Sequence, residues 1–437
     1  MTTTTHARPR DRARDTDDRS DTVPIADSAA RLLRGLSDHT RRLALPDHLA
    51  VHGPVPTALA AGQVDLLDTT EAVDLRGRGG AAFPFTRKAR GVRAAGQEQG
   101  REPLVVGNGS EGEPASHKDA RLMQCAPHLV LDGAELAAAA VGSGEARIVV
   151  GAPAAARSLD AALRERGHGR VRIRVVPVVD RFVTGESSAA VRAAEGGDAI
   201  PAFTLRRTGE GGVNGRPTLV SNVETLAQLA LLARLGAEGY RRLGTPDEAG
   251  TTLLTVHRGL GAEVVEVAYG TPLATVLGEA AMGPGVLLGG YHGTFLPASR
   301  AATAVLSRAD AAAAGAALGA GVVVVLPPGC CPLVEAAPVV RFLAAESAGQ
   351  CGPCVHGLRA IAERVTELAD GRCPPEGLAQ LDRWRGLVSG RGACGHPDGV
   401  VRFVASLLTA FPTEVAMHQH GSCGRPSRRL FPLEDAR

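Results

Sequence analysis

Leu104-Val105-Val106-Gly107-Asn108-Gly109-Ser110-Glu111-Gly112-Glu113-Pro114 runs from an apolar triplet straight into a glycine-rich acidic turn. The triplet reads as a short buried strand. Two further apolar runs of the same kind follow, Ala146-Arg147-Ile148-Val149-Val150 and Val171-Arg172-Ile173-Arg174-Val175-Val176. Between the first and second, residues 127–141 carry apolar side chains on a helical repeat. Strands alternating with helices predict an α/β layer with a largely parallel sheet over roughly residues 40–245.

Downstream the pattern changes. Thr252-Leu253-Leu254-Thr255-Val256 and Glu263-Val264-Val265-Glu266-Val267-Ala268 read as strands, a short helix follows near residues 273–281, and residues 285–290 and 322–326 supply two more apolar runs. That order suits a small β-grasp-like module. From Pro332 the chain is helical, with Val355, Leu358, Ile361, Val365 and Leu368 on one face. Residues 378–388 and 398–411 supply two further helices, giving a small bundle.

Only two lysines occur in the 437 residues. Lys88 closes Gly77-Arg78-Gly79-Gly80-Ala81-Ala82-Phe83-Pro84-Phe85-Thr86-Arg87-Lys88, and Lys118 follows the acidic turn. An ammonium is a compact point charge, whereas guanidinium is a wide fork. Lysine kept only beside glycine-rich backbone points to an anion cradle.

A net charge of +2 asks for neither nucleic acid nor an anionic membrane, and no run approaches eighteen uninterrupted apolar residues, so no membrane insertion is expected. The polar, mixed-charge start of the chain, residues 1–21, reads as a disordered tail rather than a targeting segment, and the expected location is cytoplasmic. Eight cysteines are too sparse for a disulfide framework. Cys351 and Cys354 form a C-x-x-C at a helix start, and Cys394 lies one helical hairpin later. Three thiolates gathered by a bundle hold an iron–sulfur cluster or zinc. Cys125, Cys373 and Cys423 read as isolated, and the adjacent Cys330-Cys331 pair is a candidate for a further ligand.

With these motifs in order, residues 65–415 resemble the NADH- and FMN-binding flavoprotein subunit of respiratory complex I and the related subunits of soluble hydrogenases and formate dehydrogenases. Leu75–Pro84 resembles the glycine-rich flavin and nucleotide loop, Asn108-Gly109-Ser110-Glu111-Gly112-Glu113-Pro114 the N-A-D-E-G-E-P segment, and Gly185-Glu186-Ser187-Ser188-Ala189 the G-E-E-T-A segment. Arg216–Thr225 resembles K-P-T-x-V-N-N-V-E-T, and Glu346–Cys354 resembles E-S-C-G-x-C-x-P-C. The resemblance implies a tail (1–40), an FMN/nucleotide-binding α/β domain (41–248), an SLBB-type β-grasp-like module (249–328), a helical iron–sulfur domain (329–425) and a C-terminal tail (426–437). It places FMN against Gly77, Gly79, Gly80, Lys88, Asn108, Ser110, Gly185, Glu186, Val220, Ser221, Asn222 and Thr225. Phe83 falls to the nicotinamide nucleotide, and Glu111, Glu113 and Glu186 to positioning it against the flavin. A [4Fe-4S]-type cluster falls to Cys351, Cys354 and Cys394.

The departures are specific. Ser110 replaces an aspartate and Ser221 an asparagine, each keeping a hydrogen-bonding group on a shorter side chain. Gly91 and Ile200 stand where further stacking rings are expected, and Ser187 replaces an acidic residue. Ala348 occupies the place of the first cluster cysteine, leaving the fourth ligand open among Ser347, Gln350, His356, His396 and the Cys330–Cys331 pair. The implied activity is electron transfer from NADH or NADPH through FMN to the cluster. From there electrons pass to a ferredoxin-like or thioredoxin-like [2Fe-2S] subunit, a quinone reductase or another protein acceptor. The competing expectation is a relay or assembly subunit with decayed nucleotide binding, in which zinc replaces the cluster.

Overall fold

The computed structural model describes residues 30–36, 41–60, 63–167, 169–203, 206–278, 280 and 282–433. The expected tail over residues 1–21 lies outside them. Four strands form the first sheet: β1 (Leu104–Gly109), β2 (Glu145–Val150), β3 (Arg172–Pro177) and β4 (Thr218–Asn222). They lie in the order β3-β2-β1-β4 and all pair in parallel. Such a sheet needs crossover helices on both faces, which is why central β1 starts as a continuous buried apolar run, whereas edge strand β3 alternates arginine with apolar residues. Along β1 the pleat divides the side chains between two cores. Val105 packs with helices Pro127–Val141 and Val223–Arg241, whereas Leu104 and Val106 pack with helix Ser187–Ala194.

The second sheet is mixed: β5 (Thr251–Arg258), β6 (Gly261–Ala268), β7 (Gly285–Leu288), β8 (Thr294–Pro297) and β9 (Val322–Leu326), in the order β6-β5-β9-β7-β8. Only β5 and β9 pair in parallel. On β9 the alternation again assigns faces. Val323 and Val325 pack with helix Leu273–Leu277, while Val322, Val324 and Leu326 pack against the C-terminal helices.

Those helices are Pro332–Ala345, Leu358–Ala369, Gly377–Val388, His396–Ala410 and Pro412–Gln419. Leu358, Ile361, Val365 and Leu368 form the buried stripe expected of them, but Val355 is 45% exposed. It lies in a π-helical turn, Pro353–Gly357. The wider turn rotates the residues before Leu358 off the helix face, a register change no 3.6-residue repeat reveals.

Two stretches expected as tails are packed. Leu32, Leu33 and Leu36 join the first core, and Glu266 on β6 accepts the backbone N–H groups of Arg31 and Leu33. At the other end Leu430 and Phe431 are buried, and Glu335 accepts the N–H groups of Arg428 and Leu430. In both cases a buried carboxylate captures irregular backbone, a long-range pairing that local composition does not encode.

Candidate functional site

In a parallel sheet, ligands sit beyond the C-terminal strand ends. The register brings Gly107 opposite Ser221 and Asn108 opposite Asn222, so β1 and β4 end together. Asn222 starts helix Val223–Arg241, its side chain accepting from Glu224 N–H at 2.9 Å. Its amide donates to Asp119 Oδ2 at 2.6 Å. The Asn108 amide donates to the Gly185 carbonyl at 2.9 Å, tying β1 to the short turn Phe182–Gly185. Ser110 Oγ donates to Asp180 at 2.6 Å, so the shorter side chain at this position already has a carboxylate partner.

The loop Gly77–Gly80 lies across these ends. A Cβ on Gly79 would stand 3.3 Å from Asn222 Cβ, and Gly80 has φ of +97°, which favours glycine. Arg78 N–H donates to Thr225 Oγ1 at 2.8 Å. The Arg78 side chain is buried, with its guanidinium 3.7 Å from Glu224 and 4.9 Å from the Tyr269 ring centroid. Nothing in the spacing singled out this arginine, yet it pins the loop to the helix and to the second sheet.

The two lysines part company. Lys88 Nζ donates to the Val220 carbonyl at 2.7 Å and has no carboxylate partner among the described residues. Burial holds its pKa below the ordinary value. Lys118 is not at an anion site. Its ammonium, 3% exposed, lies 2.7 Å from Asp119 and 2.9 Å from Glu224. Burial alone would depress its pKa, but the two carboxylates outweigh this and hold it protonated. Two buried acids consume this charge before any ligand reaches it.

The three glutamates also differ. Glu111 accepts Asp119 and Ala120 N–H at 3.1 and 2.9 Å, and Ser116 Oγ at 2.5 Å, so it caps helix Lys118–Cys125. Glu186 caps helix Ser187–Ala194 through Ser188 N–H at 2.8 Å. Glu113 reaches the turn between β7 and β8, accepting Tyr291 N–H at 2.8 Å, and burial pushes its carboxyl up to about 8. Between Glu111 and Glu113 the turn is held by Gly112, where a Cβ would fall 1.8 Å from the Arg181 carbonyl oxygen.

Phe83 is 43% exposed, and Arg87 lies over its ring at 5.7 Å. Gly91 has open space around it on helix Phe85–Gln99, and Ile200 is half-buried. Ser187 begins its helix half-buried.

Cys351 and Cys354 lie within hydrogen-bonding reach of each other, and Cys394 is close enough to both to act on them electrostatically. Burial raises all three thiols, but at Cys351 the N–H groups of Ala393 and Cys354 outweigh it and hold the thiol below its ordinary value. Burial and the bond to Cys351 push Cys354 up to about 12. Backbone donors aimed at sulfur suit metal-bound thiolates.

Several expected fourth ligands are elsewhere. His396 is committed at both nitrogens, with Nε2 at 2.8 Å from the Leu343 carbonyl and Nδ1 at 3.0 Å from His292. Cys331 faces His418 and Cys423 instead, so Cys423 is not the isolated residue the spacing suggested. Gln350 and His356 are exposed and Ser347 is half-buried.

The turn Phe182–Gly185 joins the two regions. Phe182 N–H donates to Glu346 at 3.0 Å, and its ring lies 5.5 Å from that of His396, two residues beyond Cys394. The same turn carries Gly185, which binds Asn108 at the strand ends.

Residues 70–231 match the family model of the Nuo51 FMN-binding domain, and residues 335–418 that of the NADH-ubiquinone oxidoreductase-F iron-sulfur binding region. The chain is 26% identical to the F subunit of the NADH-quinone oxidoreductase of Rickettsia bellii, over 82% of its own length and 90% of that protein's. It is 26% identical to the mitochondrial NADH dehydrogenase [ubiquinone] flavoprotein 1 of Dictyostelium discoideum, over 80% and 78% of the two chains. Among solved structures it superposes on an NAD+-reducing [NiFe]-hydrogenase in the H2-reduced state with a TM-score of 0.74 at 28% identity, covering 84% of this chain and 67% of that one.

Proposed function

We propose that this chain, a member of the NADH- and FMN-binding flavoprotein family of complex I and its hydrogenase relatives, is an NADH dehydrogenase-type oxidoreductase that passes electrons from NADH through FMN to an iron–sulfur cluster and on to a protein acceptor. FMN supplies the conversion of a two-electron hydride into single electrons. The observation that carries the reading is the turn Phe182–Gly185, bonded at one end to Asn108 beside the strand ends and at the other to Glu346, which precedes the cluster cysteines.

Lys88 supports FMN at the strand ends. An ammonium whose partner is a carbonyl keeps donors for a phosphate, and a carboxylate there would have cancelled its charge. The loop Gly77–Gly80 allows backbone close to a planar ring, and Asn108, Ser110, Gly185, Glu186, Val220, Ser221, Asn222 and Thr225 surround it. In this reading Glu111 and Glu186 act by capping the helices that carry the site, while Glu113 is the carboxyl able to hold a proton near neutrality. Phe83, half-exposed, is the platform for the nicotinamide nucleotide. Cys351, Cys354 and Cys394 would hold three irons of a [4Fe-4S]-type cluster, and Ala348 supplies no ligand for the fourth. The five-stranded mixed sheet serves as the SLBB-type module, and the helices after Pro332 as the cluster bundle. The face of that sheet lined by Val323 and Val325 has a hydrophobic cluster of its own with helix Leu273–Leu277, which supports a distinct module, while its other face packs on the bundle. The acceptor best suited to a one-electron donor of this kind is a [2Fe-2S] protein.

Anaerobically purified protein should show flavin bands with a broad cluster shoulder, both bleaching when NADH is added. A colourless protein, or a flavin that NADH leaves oxidised, overturns the reading.

A further inference from the structure

Away from the cluster cysteines, Cys331, His418 and Cys423 place one sulfur, one nitrogen and one sulfur all within 4.8 Å of one another. The geometry points to a second metal centre here, a single zinc ion bound by these three side chains with water as its fourth ligand.

Each donor is presented by a different element. Cys331, fully buried, is the residue before helix Pro332–Ala345. His418, also fully buried, lies in the last turn of helix Pro412–Gln419. Cys423 lies beyond that helix and is half-buried, so water reaches the site from its side. His418 Nδ1 is 3.1 Å from the Leu368 carbonyl, which can only accept, so this nitrogen carries the proton. Nε2 is thereby left with its lone pair directed at Cys331 Sγ, 3.3 Å away. A metal-binding histidine is oriented in this way by a carbonyl behind it.

The spacing selects an ion rather than a cluster. Tetrahedral zinc, with bonds of about 2.3 Å to sulfur and 2.0–2.1 Å to nitrogen, sets its ligand atoms about 3.5–3.8 Å apart. Cys331 Sγ and His418 Nε2 are 3.3 Å apart, and no pair of the three exceeds 4.8 Å, so binding needs shifts of about 1 Å or less. Two thiols and an imidazole form a soft donor set that favours zinc over magnesium or calcium. Binding releases the two thiol protons to solvent and leaves a neutral centre.

The site is independent of the proposed cluster. His418 bonds Leu368 near the C-terminal end of helix Leu358–Ala369, and Cys354 precedes its N-terminal end. Twelve residues at 1.5 Å each separate the two by about 18 Å. The surroundings also hold the donors in place without metal. A Cβ on Gly371 would fall 2.1 Å from Ser422 N, so the turn after that helix lies directly on the residue before Cys423. Glu335 fixes the chain beyond it through Arg428 and Leu430. Zinc would clamp the C-terminal segment onto three helix ends.

The test is metal analysis of full-length protein purified anaerobically, supplied with stoichiometric zinc and desalted. The wild type should retain about one zinc per chain. Cys423→Ser should lose the zinc and keep its iron, whereas Cys351→Ser should lose iron and keep the zinc. In the wild type, zinc should shield Cys331 and Cys423 from alkylation, mapped by mass spectrometry, which needs no variant to fold. Zinc that follows Cys351 rather than Cys423, failure of the wild type to retain it, or a Cys331–Cys423 disulfide in the anaerobic protein would each overturn the assignment.

Discussion

The ammonium of Lys88 reaches across from helix Phe85–Gln99 to the carbonyl of Val220, 2.7 Å away and two residues before β4 ends, with donors to spare. Its position is fixed by backbone rather than by an acid, which leaves the positive charge for a ligand. Lys88→Ala should therefore purify with little FMN, and Lys88→Arg should regain only part of it, because a planar fork does not fit a point-charge pocket. Flavin fluorescence after acid release measures the occupancy. Full occupancy in Lys88→Ala refutes the phosphate role.

Gly79→Ala separates folding from binding. Its Cβ would stand 3.3 Å from Asn222, close but tolerable, and the glycine does not have positive φ. The variant should melt within a few degrees of the wild type, a stability change of about 1 kcal/mol or less. Its flavin content should nevertheless fall at least several-fold. Retention of flavin would show that the loop does not line the ring.

Glu224 is fully buried between Lys118 and Arg78 and also accepts Leu253 N–H at 3.0 Å. Removing it leaves two cations without their shared partner. Glu224→Ala should destabilise the protein by about 3–5 kcal/mol, measured by denaturant unfolding. A loss below about 1 kcal/mol would mean the network is dispensable.

Glu113, with its folded pKa near 8, binds a proton more tightly when folded than when unfolded. Its contribution to stability is therefore complete below its unfolded pKa, about 4.3, and declines as pH rises toward 8, by up to ~1.4 kcal/mol per pH unit. Glu113→Gln should flatten the fall in melting temperature across that window. An unchanged pH profile excludes the protonated carboxyl.

In the proposed cluster, Ala348 stands at the position of one family cysteine and cannot ligate. Mild oxidation should strip the iron at that position and give a three-iron paramagnetic signal, and Ala348→Cys should suppress it. If the two proteins oxidise alike, the missing cysteine has no bearing on the cluster.

Nucleotide discrimination should be weak. Ser187 carries no charge to repel a 2′-phosphate, and Phe83 alone among the expected rings is in place. Steady-state kinetics should give NADH and NADPH specificity constants within about tenfold of each other. A strong preference for NADH would contradict this.

The strands β1, β2, β3, β5, β6, β7 and β9 and the helix Pro127–Val141 were legible in the sequence, because burial on one or both faces imposes a local period on apolar residues. The cradle motifs were legible too, since close backbone approach leaves glycine no substitute. Whether a charged side chain faces a ligand or a buried partner has no such local signature. Lys88 and Lys118 occupy similar glycine-rich surroundings in sequence, and only the fold gives one a carbonyl and the other two carboxylates. The same holds for Cys331 and His418, 87 residues apart yet in contact, and for Glu335 and Glu266 gripping the chain ends. Periodicity is written in neighbouring residues, whereas the pairing of charges and ligands depends on which distant elements pack together.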